Sequence, residues 1–323
     1  WSSDVCSSDL KRIVISAITA AALATSTFAA TSMTLYGVKG PMKANEHKAV
    51  KVLIEEATKL GFELSDPHER INDGYKTKYG STQLDTLNFM SITNDKMINK
   101  IAAKYPQIGG FSPFNMYSYK MLNEDTTWVG HLDANMMLDI VGINDKATRA
   151  EFVKHFEPLD AAIKKTMGKG TERKVSFDKL PAEPLMTFTY QIPADADIAD
   201  WVEEWQEKYE ELFEERKYII AGFKNMVEAW DDLELDHHYE QFFVYSLCHF
   251  GFSNAIFNDV PEAGAFAPCS MYCYVDKDSR TMHVGMPKLE AWMAATNITD
   301  KAKVKMILDL DKEIIQTMHD LKD

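Results

Sequence analysis

The 323-residue chain has little cysteine (four residues), little glycine (15) and little proline (11). A collagen, a disulfide-dense miniprotein and a low-complexity tract are thereby excluded. Positive charge is also short: 35 Lys and Arg stand against 49 Asp and Glu, a formal net charge of −14. Gripping nucleic acid takes a basic face that displaces counterions, so nucleic acid is not an expected partner. Beyond residue 29 no apolar run is long enough to cross a bilayer, which takes about 20 residues. The chain contains no G-x-G-x-x-G, Walker A, G-x-S-x-G, H-E-x-x-H or C-x-x-C-H motif. Nucleotide-binding, hydrolase, zincin and c-type haem readings therefore have no motif behind them. What is present, 46% hydrophobic and 26% charged residues, is the composition of a folded protein.

The first ten residues, Trp1 to Leu10, resemble a translated sequencing adapter and are set aside as artefact. Lys11 and Arg12 then open a charged segment, and Ile13 to Ala24 is apolar. Small residues follow, with cleavage expected after Ala24 or Ala29. Residues 11–29 thus read as a secretory signal peptide, with an uncleaved anchor as the alternative. The expectation is a periplasmic protein with no membrane span after cleavage. Within residues 1–29, Asp4 and Asp9 cancel Lys11 and Arg12, so the whole net charge lies in the exported part. Cys6 falls in the adapter-like stretch, which leaves Cys248, Cys269 and Cys273.

An offset of 155 residues aligns the chain with itself. Pro106, Gly109, Phe111 and Pro113 match Pro261, Gly264, Phe266 and Pro268. Met116, Tyr117 and Tyr119 match Met271, Tyr272 and Tyr274. Fourteen identities fall within the 42 positions from 106 to 147, where chance gives about two or three. The reading is two homologous domains, residues 33–167 and 185–323. Residues 168–184, rich in Gly, Pro and charge, read as the linker. Each domain is expected to open with a strand, near Met33–Val38 and Met186–Ile192. A helix follows: Val50, Leu53, Ile54, Ala57 and Leu60 line one, and Ile198, Trp201, Val202, Trp205, Tyr209, Leu212 and Phe213 the other. Another strand, a short helix, a hairpin and a closing helix complete the pattern. Strands and helices mix without steady βα alternation, so the fold class is α+β, each domain a mostly antiparallel sheet with helices packed on it.

Ser246-Leu247-Cys248-His249, then Pro261, then Ala267-Pro268-Cys269 before a hairpin, resembles the domain-of-unknown-function 302 family. That family carries Cys-Asn-Pro after a strand and Leu-Pro-Cys before a strand pair. Cys248 and Pro268-Cys269 match, while His249, Phe250 and Ala267 depart from the pattern. The first domain keeps Pro113 but has Thr93 and Phe114 at the cysteine positions. The resemblance implies a small α+β domain and no defined activity. Because single-domain members are thought to pair, it also implies an internal pseudo-dimer of the two repeats.

The strongest candidate site is Cys248, His249, Cys269, Met271 and Cys273. Positions 269, 271 and 273 share a strand face, and thiol, thioether and imidazole form a soft set suited to copper, zinc or haem. A Cys248–Cys269 disulfide and plain core packing are the alternatives. Asp231, Asp232, Glu234, Asp236, His237 and His238 form a second acidic cluster, read mainly as a solvated loop because adjacent histidines point apart. The functional expectation is a non-catalytic module that binds a small ligand or a periplasmic protein. The alternative is a thiol-redox or soft-metal/haem protein.

Overall fold

The structure is a computed structural model that describes residues 30–39, 42–168 and 170–322. The adapter-like stretch and the signal segment lie outside the described residues. The first half runs β1 (Ala30–Lys39), α1 (Met42–Lys59), β2 (Glu63–His68), α2 (Ile71–Tyr79), β3 (Leu84–Thr93) and α3 (Asp95–Ala102). A 3₁₀ turn (Pro106–Phe111), β4 (Phe114–Met121), β5 (Thr126–Leu132), α4 (Ala134–Ile140), α5 (Lys146–Thr166) and β6 (Thr171–Phe177) follow. The second half runs β7 (Leu185–Gln191), α6 (Ile198–Glu215), β8 (Tyr218–Asn225), α7 (Met226–Asp232), β9 (Tyr239–His249) and α8 (Phe250–Phe257). It continues with a 3₁₀ turn (Pro261–Phe266), β10 (Cys269–Asp276), β11 (Thr281–Pro287), α9 (Leu289–Ala295) and α10 (Lys301–Asp320).

The class is α+β, with two antiparallel sheets and helices packed on them. The six-stranded sheet has the order β2-β3-β4-β5-β1-β6 and the five-stranded sheet β7-β11-β10-β9-β8. Without β6, both read edge strand, long strand, hairpin, first strand. β6 lies inside the segment expected as a linker. Its Val175 and Phe177 pack inward and it pairs with β1 from Ala30↔Phe177 to Gly37↔Thr171, so pairing overrides the charged composition.

Local chemistry accounts for the helix ends. Asp145 caps α5 by accepting from Thr148 N at 2.8 Å, and Asp300 caps α10 by accepting from Ala302 and Lys303 amides. α1 ends before Gly61, whose φ of 83° favours glycine. On α6 the buried face is Val202, Trp205, Tyr209 and Phe213, each of which contributes about 1.5–3 kcal/mol by leaving water. Glu203, Glu204, Glu207, Glu211, Glu214 and Glu215 face solvent. No described helix is long and apolar enough to cross a membrane.

Candidate functional site

β9 and β10 position the sulfur-bearing residues. Cys269 lies opposite Leu247, Met271 opposite Tyr245 and Cys273 opposite Phe243. Side chains alternate along a strand, so Cys269, Met271 and Cys273 do share one face, the one covered by Tyr209 of α6. Cys248 follows Leu247 and therefore leaves from the other face. The five-residue ligand set expected from sequence is thus divided by the sheet. The physical reason is the register between β9 and β10, which spacing along one strand does not reveal. The three thiols are unbridged, and Cβ vectors on opposite faces are poorly placed for a disulfide. Among the described residues, no three His, Cys, Asp or Glu side chains are arranged to hold a metal ion.

Burial governs the thiols. It pushes Cys248 up to about 11, with the Ser253 hydroxyl offsetting part of the effect. Burial also raises Cys269 and Cys273 well above the ordinary range. The thiolate is the nucleophile and the metal ligand, so all three are held in their unreactive form near neutrality. His249 has a structural task. Its Nδ1 accepts from Phe252 N at 3.0 Å and caps α8, while its ring packs edge-on to Tyr218 at 5.2 Å. Burial lowers its pKa. A neutral ring that accepts at Nδ1 carries its proton on Nε2, so neither nitrogen offers a free lone pair.

The cleft between the halves is one of the binding places the sequence suggests, but the residues that meet there are not legible in it. Several of the residues that meet across this seam are related by the 155-residue offset. Gly109 lies against Tyr272, where an added Cβ would sit 2.6 Å from the Tyr272 Cβ. Gly264 lies against Phe89 and Tyr117, where it would meet ring carbons at 3.1 and 3.3 Å. Asn115 donates to Gly264 O at 2.6 Å, and Ser270 donates to Pro113 O at 3.2 Å. The start of α3 receives Trp230, whose Nε1 donates to Asp95 O at 3.2 Å; the start of α8 receives Tyr75, its ring tilted by 53° against Phe250 at a centroid distance of 4.9 Å.

Two ion pairs cross the same seam. Lys224 Nζ lies 2.9 Å from Asp95 Oδ2, and the Asp95 side chain is only 3% exposed. Arg173 of β6 pairs with Glu262 at 2.6 Å, and its guanidinium lies 4.3 Å from the Trp128 ring centroid. Tyr119 also donates to Glu262 at 3.0 Å. Phe111, Pro113, Asn115, Phe266, Pro268 and Ser270 help enclose a cavity of about 10 Å³, room for a single water. Farther along, Asn99, Ala103, Asp236, His237, His238 and Tyr239 line an open groove of about 220 Å³.

That groove contains part of the second acidic cluster. His237 is turned inward, its side chain 6% exposed and Nε2 3.0 Å from Asp231; His238 is turned outward, 52% exposed and 3.5 Å from Asp276. The two rings therefore serve different carboxylates, as adjacent positions on an extended backbone require.

No protein-family model matches the chain, and no curated protein matches it. One solved structure that does match is described as an uncharacterized conserved DUF302 protein from Bacillus stearothermophilus. It is 19% identical, the match covers 44% of this chain and 100% of that one, and the TM-score is 0.37.

Proposed function

We propose that the chain is an exported, non-catalytic binding module built as an internal pseudo-dimer of two related domains. The observation that carries this reading is the reciprocal seam, in which Gly109 and Tyr272 repeat at Gly264 and Tyr117. On this reading the seam holds one domain on the other, and the open groove lined by Asn99 and His238 is the proposed binding place. A small ligand or a second periplasmic protein is the expected occupant. Thiols held protonated by burial, with Cys273 buried and Cys248 and Cys269 half-buried, and a capping His249 support a binding role over a redox one.

Native mass spectrometry of the full chain, purified from its own compartment, tests the proposal. A co-purifying organic ligand or protein, lost on substitution of Asn99 or His238, supports it. Mature ends at residue 25 or 30 support export. The second reading, a soft-metal, haem or thiol-redox protein, is favoured by the common face of Cys269, Met271 and Cys273. Stoichiometric copper, zinc or haem, lost in Cys269→Ser, would establish it and overturn the first.

A further inference from the structure

His131 near the end of β5 is buried, its side chain 4% exposed. Nδ1 lies 2.7 Å from the carbonyl oxygen of Leu132, and Nε2 lies 3.1 Å from Asp160 Oδ1 on α5. Both neighbours are acceptors. A neutral imidazole has one N–H, so it would leave one ring lone pair facing an oxygen lone pair; only the imidazolium satisfies both contacts. The rings of Phe114 on β4 and Phe156 on α5 flank it at 5.7 and 5.5 Å and hold it in place. The paired position on β1 is the uncharged Thr34. Among the described residues, the charged groups acting on the ring are Asp160 of α5 and Asp133, the cap of α4. Burial opposes the charge, but Asp160, the Leu132 carbonyl and Asp133 outweigh it, and the pKa is raised. The position 155 residues on is Met286, apolar and buried, so the arrangement belongs to the first half alone.

We propose that His131 is a proton-operated latch that clamps α5 to the first sheet as imidazolium and slackens when the proton leaves. Its reach extends beyond the core, because α5 supplies Ala150, Glu151, Lys154, His155 and Pro158 to an open groove of about 530 Å³ completed by Leu60. The sign follows from the raised pKa. The clamp is complete below the unfolded pKa of about 6.5 and is lost as pH rises through the folded value.

The test is an NMR titration of His131 in the full chain, with hydrogen exchange of the α5 amides at each pH. Wild type should titrate above 6.5, and α5 opening, corrected for intrinsic exchange, should speed up about tenfold for each unit between folded and unfolded pKa. In Asp160→Asn the His131 pKa should fall and the pH step in α5 should shrink. In His131→Met, which installs the residue found at 286, α5 opening should be independent of pH in this range. A neutral His131 from pH 5 to 9, or an α5 step that persists in Asp160→Asn, would overturn the latch. Since Asp160 is half exposed, that variant serves even if His131→Met does not fold.

Discussion

Asn94 and His249, 155 positions apart, do the same work: each is the N-cap of the helix that follows the long strand of its sheet. Asn94 Oδ1 accepts from Met97 N at 3.0 Å, and His249 Nδ1 accepts from Phe252 N at 3.0 Å. A histidine that looks like a ligand in sequence is thereby a substitute for asparagine. His249→Asn should keep stability within about 0.5 kcal/mol, and His249→Ala should lose about 1 kcal/mol. Urea denaturation of both variants checks the pair; equal losses would refute the capping role.

The glycines of the seam should differ in tolerance. Gly109→Ala places a methyl 2.6 Å from the Tyr272 Cβ and 3.0 Å from the Phe242 ring, so a strand must move. The cost should be about 1–3 kcal/mol, the range for overpacking. At Gly264 the nearest atom is a Phe89 ring carbon at 3.1 Å, which a small ring shift relieves. Gly264→Ala should therefore cost about half as much or less, measured as a shift in urea midpoint.

The Lys224–Asp95 pair should be costly to break. Asp95 also accepts from Thr93 Oγ1 at 3.1 Å, but one hydroxyl does not replace an ammonium. Lys224→Met should destabilise by about 3 kcal/mol by leaving a buried carboxylate unpaired. Adding Asp95→Asn should recover part of that loss, and a double-mutant cycle measures the coupling. Strictly additive losses would mean that the two groups do not interact.

Asp311 predicts a pH dependence. From α10 it accepts from Leu289 N at 2.8 Å and Glu290 N at 2.9 Å, yet burial still raises its pKa to about 6. Between about pH 4 and 6 the folded state keeps a proton that the unfolded chain has released. Its contribution therefore falls as pH rises through that window and is flat above it, a change of about 2–3 kcal/mol at most. Across this range wild type should lose more stability than Asp311→Asn. A steeper loss in the variant would reverse the assignment.

Much of the fold could be read locally. The hairpins at 114–132 and 269–287, the amphipathic α6 and the caps at Asp145 and Asp300 are signalled by residues close in sequence. The edge strands β2 and β8 were not, because each is interrupted by a register shift, at Leu64/Asp66 and at Ile220/Gly222, which blurs their alternation. β6 was hidden by its charged residues, whose inward partners become visible only once β1 is in place. The sulfur site was half legible: spacing alone put Cys269, Met271 and Cys273 on one face, but the face of Cys248 depends on pairing between strands. Asp95 and Lys224, 129 residues apart, carry no mutual signal in sequence at all.

Because both sides of the Gly109–Tyr272 and Gly264–Tyr117 contacts belong to one polypeptide, their association is unimolecular. Dilution that dissociates a pair of separate subunits leaves this seam untouched, since its effective concentration is fixed by the chain. Covalent linkage also frees the halves from identity. In a homodimer every substitution appears twice, whereas here an imidazolium clamp can sit in one half and a row of sulfurs in the other without either being copied across.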